Sequence, residues 1–120
     1  MLNSYKDLIV WQKSIELVSE IYKLTERFPK TEIYGLTSQI RRAAVSLPSN
    51  IAEGYTRKHR PEYVQFLRIA FGSGGELETQ IIIAEKLEFA NNKDIGKVKN
   101  LLEEIMKMLN KLISTLVARP

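Results

Sequence analysis

The side chains that could carry chemistry in this chain are few, and most are basic. Arg57, Lys58 and Arg60 crowd around His59, and Arg41 and Arg42 stand side by side upstream. Guanidinium and ammonium groups bunched in this way can hold phosphate oxygens, while the same bunching without a ligand is a solvated turn. Residues 41–60 carry five Lys/Arg against Glu53 alone, which by itself equals the formal net charge of +4. Residues 1–60 hold ten basic side chains against six acidic, and residues 61–120 hold eight against eight. An excess this local reads as a surface patch for an acidic partner.

Other chemistry finds no residue set. The single histidine, His59, excludes the paired Glu-x-x-His motifs of a two-metal site in a helical bundle and any buried His triad. The absence of cysteine removes disulfides, thiolate zinc sites and thiol nucleophiles. Ser46 and Ser49 have no base beside them. Glu76 and Glu78, two positions apart, point to different helix faces, and one of them is expected to pair with Arg41 or Arg42, or with a neighbouring subunit's amides. Gly72-Ser73-Gly74-Gly75 fits neither the Walker nor the dinucleotide glycine pattern, and no strand precedes it. No enzyme, metal or cofactor is expected.

The elements that must position the basic residues are helices. With 120 residues, 44% hydrophobic and 27% charged, the chain suits one globular domain. Ser4 and Asp7 have the spacing of a capping box. Two apolar seams then run together, Leu8, Trp11, Ile15, Val18, Tyr22 and Val10, Leu17, Ile21, Leu24, Phe28, until Pro29 stops them. A second stripe, Leu36, Ile40, Ala43, Leu47 and Ile51, leads to Gly54 and the basic corner, with Pro48 expected to kink it. Its freed carbonyl is expected to find water or a hydroxyl of Ser46 or Ser49.

Pro61-Glu62 opens a third helix whose seam is Tyr63, Leu67, Ala70, Gly74, Leu77, Ile81 and Ala84. The glycine run is expected to lie within a continuous helix at a tight crossing. Val64, Phe66, Ile69 and Phe71 fall off the seam, so the first turns are apolar nearly all round, which points to a subunit interface. Asn91-Asn92 supplies a turn and cap, and Ile95, Val98, Leu102, Ile105, Leu109, Leu112 and Leu116 mark the fourth helix before Arg119-Pro120 closes the chain. The expectation is an all-α, up-down-up-down antiparallel four-helix bundle. It forms a single domain over residues 1–120, with helices near 5–28, 34–57, 61–90 and 92–117. With no signal pattern and no long apolar run, a cytoplasmic location without a membrane span is expected.

The run from Tyr34 to Tyr55 resembles the signature of the small four-helix-bundle proteins encoded within intervening sequences of bacterial 23S ribosomal RNA genes, also labelled S23 ribosomal proteins. Asp7-Leu8, Val10-Trp11, Phe66-Leu67, Ala70, Gly72-Ser73 and Glu76-Leu77-Glu78-Thr79 extend the likeness over most of the chain. Gly74-Gly75 departs from it, since bulkier residues are more usual there. The resemblance implies a homopentamer, and the fold is similar to accessory proteins of diversity-generating retroelements, which use a basic surface to engage a reverse transcriptase and nucleic acid. By that analogy the chain is a non-enzymatic, nucleic-acid-associated protein, RNA being the leading ligand, with Arg41, Arg42, Arg57, Lys58 and Arg60 as phosphate contacts. The alternative is a scaffold whose partner is a polymerase-type protein.

Overall fold

Apolar residues recurring every three or four positions can be buried only if the backbone coils into helices and the helices pack side by side. The computed structural model describes residues 3–118, in four helices: α1 (Ile9–Thr25), α2 (Leu36–Thr56), α3 (Arg60–Lys86) and α4 (Asn92–Ala118). The first two residues and Arg119-Pro120 lie outside the described residues. Leu17 and Ile21 of α1, Ile40, Leu47 and Ile51 of α2, Leu67, Leu77 and Ile81 of α3, and Ile95, Leu102, Ile105 and Leu109 of α4 meet in one core. Consecutive helices are neighbours and α4 returns to α1, leaving α1 opposite α3 and α2 opposite α4. The result is an all-α up-down-up-down four-helix bundle, 48 Å long and 20 to 22 Å across, without a strand among the described residues.

The ends of the helices differ from their sequence reading for local reasons. The Ser4 hydroxyl accepts from the Lys6 amide (3.0 Å) and the Asp7 carboxylate accepts from the Ser4 amide (3.3 Å), so the capping box forms. It closes a 3₁₀ turn, Tyr5–Asp7, rather than the helix itself, because Leu8 is extended (φ −73°, ψ 124°) and α1 starts at Ile9. A second 3₁₀ turn, Lys30–Glu32, precedes α2, and the Glu32 carboxylate accepts from the Leu36 amide (3.2 Å). At the end of α3 the Phe89 amide donates to the Ala84 carbonyl and the Glu88 amide to the Glu85 carbonyl, with Glu88 left-handed at φ 58°. That hydrogen-bond pair ends α3 at Lys86 instead of near 90. Asn91 Oδ1 then accepts from the Asp94 amide (2.8 Å), capping α4 as its spacing suggests.

The α2–α3 pair is the tightest contact that bears on the basic corner. α2 runs through the buried Pro48 as one helix. The Ser46 hydroxyl is engaged elsewhere, hydrogen-bonded to Ser73 Oγ across the interface (2.7 Å) and accepting from Asn50 Nδ2 (2.9 Å). A Cβ on Gly54 would lie 2.7 Å from Phe66 Cβ and 3.1 Å from Tyr63 Cδ1, so only glycine lets α3 leave the corner this close to α2. α3 is continuous through the glycine run, and Gly74 packs against the thioether of Met106 of α4, which would have to move to admit a Cβ. Gly72 and Gly75 face open space.

Candidate nucleic-acid interface

The five candidate phosphate contacts divide into two places. Arg41 and Arg42 lie near the start of α2, and Arg57, Lys58 and Arg60 lie at its far end. Fifteen residues of helix separate Arg42 from Arg57, about 22 Å at 1.5 Å per residue. Arg41 is half-buried and tied to α1: its Nε donates to Thr25 Oγ1 (2.8 Å), and its guanidinium stacks 4.5 Å from the Tyr22 ring centroid. The expected pairing with Glu76 or Glu78 does not form in the chain; Arg41 is held by α1, and neither glutamate makes an ion pair among the described residues. Arg42 is exposed.

At the other end, Lys58 and His59 link α2 to α3, which opens on Arg60, and all three are exposed. Lys58 adopts the left-handed conformation at φ 54°, which turns the chain after α2, and His59 is the N-cap residue of α3 without a side-chain cap of its own. Arg57 is aimed by two neighbours, Glu53 Oε2 3.1 Å from its Nε and the Phe66 ring 5.1 Å beneath its guanidinium. Behind the corner Tyr55 and Tyr63 meet edge to face at 5.8 Å. Burial, with Tyr55 adding to the effect, pushes the Tyr63 hydroxyl up to about 12 from its ordinary 10.0.

The bundle topology adds cations that sequence distance concealed. The starts of α1 and α3 and the ends of α2 and α4 share one pole. There Lys6, Arg57, Lys58, Arg60, Arg68 and Lys111 stand against Asp7, Glu53 and Glu62, while the other described residues balance at eleven basic and eleven acidic. Elsewhere cations are drawn into pairs between helices, Lys13 with Glu104 (3.2 Å), Lys97 with Glu20 (3.1 Å), Lys99 with Glu85 (3.1 Å) and Arg27 with Asp94 (2.8 Å). The positive excess of the described chain is thus a property of one end of a 48 Å rod. Lys6, Arg68 and Lys111 escaped the sequence reading because their segments are charge-balanced; only the antiparallel path brings them to the corner.

Of the four residues expected at a subunit interface, Phe66 is partly turned inward, its Cβ against Gly54 and its ring under Arg57. Val64 is half-buried, whereas Ile69 and Phe71 are 45% and 36% exposed. No group of three or more His, Cys, Asp or Glu side chains among the described residues could hold a metal ion, and no described helix is long and apolar enough to cross a membrane.

The family model for 23S rRNA-intervening sequence proteins matches residues 6–111, through the first three helices and most of the fourth. The chain belongs to this family. A crystal structure of a protein of unknown function from the S23 ribosomal protein family of Bacteroides thetaiotaomicron superposes on the bundle with a TM-score of 0.83 at 25% identity, covering 91% of this chain and 98% of that one. Comparison with curated proteins finds no match. The resemblance carried by Tyr34 to Tyr55 is therefore a family membership, and the intervening-sequence protein fold is the four-helix bundle described above.

Proposed function

We propose that this intervening-sequence protein is a non-enzymatic, self-associating bundle that binds nucleic acid, RNA foremost, through its positive pole. The observation that carries the reading is the segregation of charge: the excess of basic side chains among the described residues collects at the end built around Arg57, Lys58 and Arg60, and the rest of the surface is neutral. Such a pole attracts the phosphate backbone whatever its sequence and makes affinity fall with salt. Repeating the pole in an assembly, a homopentamer by the family analogy, multiplies the effective concentration of each contact. The family's association with 23S rRNA genes favours RNA as the ligand to try first.

Titration of the native protein with structured RNA and with duplex DNA at two salt concentrations tests this reading. Neutralising Arg57, Lys58 and Arg60 together is expected to weaken binding to all sequences and to reduce the slope of log affinity against log salt by about two to three units. An unchanged slope removes the pole from the interface. A second reading, a scaffold for a polymerase-type protein, draws on the exposed Ile69 and Phe71; its mark is partner capture that persists at salt concentrations that abolish nucleic-acid binding.

A further inference from the structure

α3 and α4 touch closely where Gly74 meets Met106, and one turn nearer the positive pole a groove opens between them. It has a volume of about 370 Å³ and is lined by Arg68 and Phe71 of α3 and by Asn110, Ile113, Ser114 and Val117 of α4. Phe71 stays 36% exposed there, between Arg68 on its own helix and the short polar side chains of α4. No carboxylate lines the groove. Among the described residues Arg68 has no ion pair, and the Asn110 amide and Ser114 hydroxyl have no hydrogen bond. Other hollows of the bundle lack this combination. Between α1 and α4 the charged side chains of the groove satisfy one another, Lys97 with Glu20 and Arg27 with Asp94. At the start of α2 the Tyr22 ring already carries the Arg41 guanidinium, 4.5 Å from its centroid.

We infer that this α3–α4 groove takes one unpaired base of single-stranded RNA, stacked on Phe71, with its edge bonded to Asn110 and its phosphate on Arg68. This rests on the nucleic-acid binding stated under the proposed function and names the form of RNA that the pole prefers. Each lining group has a counterpart on a nucleotide. An open aromatic ring offers a stacking face to any base. A carboxamide both donates and accepts, as base edges do. A guanidinium without a carboxylate partner forks onto phosphate oxygens. The volume lies at the low end of small-ligand sites, roughly 300 to 1,000 Å³, and suits one nucleotide better than a helix. In a duplex both faces of a base are covered and its pairing edge is engaged, so only an unstacked base can enter. Arg60 opens α3 about two turns nearer the end of the rod, with Arg57 and Lys58 beyond it, so a strand leaving the groove runs onto the cations of the pole.

Comparing single-stranded oligoadenylate with duplex RNA on the full chain tests the site. Phe71→Leu keeps an apolar side chain in the groove but removes the stacking face, and Phe71→Trp restores one. Phe71→Leu is expected to bind the single strand about tenfold more weakly and Phe71→Trp to bind it as the parent does, while duplex RNA binds all three alike. Stacking releases no counterion, so the salt slope should not change; Arg68→Gln should reduce it by about one unit. Asn110→Ala, at an exposed position, is the second variant should Phe71→Leu lose the helical circular dichroism of the parent, and it too should weaken the single strand alone. An unchanged single-strand affinity in Phe71→Leu overturns the site and leaves the pole standing. Equal losses on single strand and duplex, or a loss that comes with a changed native mass, place Phe71 in the packing of the protein and overturn it as well. Adenosine monophosphate that displaces the oligonucleotide at equal concentration overturns the strand as the ligand. Failure of the pole itself is read separately, as an unchanged salt slope when Arg57, Lys58 and Arg60 are neutralised, and a parent that binds neither RNA removes pole and groove together.

Discussion

Gly54 shows how much a single missing side chain decides. A Cβ there would meet Phe66 Cβ at 2.7 Å, closer than real Cβ atoms come, and Tyr63 Cδ1 at a tight 3.1 Å, so Gly54→Ala must push α3 away from α2 at the foot of the basic corner. Overpacking should outweigh the helix preference gained from alanine and lower stability by about 1 to 2 kcal/mol. Gly96 of α4 is the control: nothing lies within 4 Å of its would-be Cβ, and Gly96→Ala should stabilise by up to about 1 kcal/mol. Urea denaturation of the two variants reads the difference, and equal effects would show that the α2–α3 contact is looser than its geometry. The sequence held Gly54 only as one more point on an apolar stripe, because a stripe records which face is buried and not how near the opposite backbone comes. Arg41 is similar: its charge is legible in the sequence, but its stacking on Tyr22 and its bond to Thr25 depend on the position of α1.

At the scale of elements, periodicity carried almost everything. The seams of α2, α3 and α4 are the ones turned to the core, buried except for Tyr63, Leu112 and Leu116, which are partly buried at one end of the bundle, and the asparagine cap of α4 forms as its spacing suggested. Helix ends were less legible, since they turn on single backbone conformations: Leu8 extended, and Lys58 and Glu88 left-handed. α1 carries two seams that look equal in the sequence, yet the one through Leu17 and Ile21 is fully buried while the other packs on the core only in part, through Leu8, Trp11 and Val18, and leaves Ile15 and Tyr22 exposed; which is which is set by where α2 and α4 dock. Lys58 allows the corner to be tested as a structural element separately from its charge. A left-handed lysine after a helix costs roughly 1 kcal/mol relative to glycine, so Lys58→Gly should raise stability by about that amount. The same change removes one cation from the pole and should reduce the salt slope of nucleic-acid binding by about one unit. A variant that is more stable and binds less well separates folding from function at one residue; unchanged stability would mean the turn does not depend on that conformation.

For the whole molecule the decisive quantity is where charge lies along the rod. Composition records +4 and the sequence halves place it early, but the folded chain gathers its excess at one pole from Lys6, the α2–α3 corner, Arg68 and Lys111, which belong to four helical segments. A solvated turn and a binding pole therefore make different predictions about residues remote from the corner. If the pole acts as a unit, exchanging Lys6 and Lys111 for glutamine should weaken binding and reduce the salt slope by up to about two units, although neither residue is near Arg57 in sequence. Exchanging Lys30 and Lys93, at the opposite pole, removes the same formal charge and should leave the slope nearly unchanged, because exposed charges separated by far more than a Debye length are screened from the bound phosphates. Equal losses from the two pairs would mean that net charge, and not its placement by the bundle, attracts the nucleic acid.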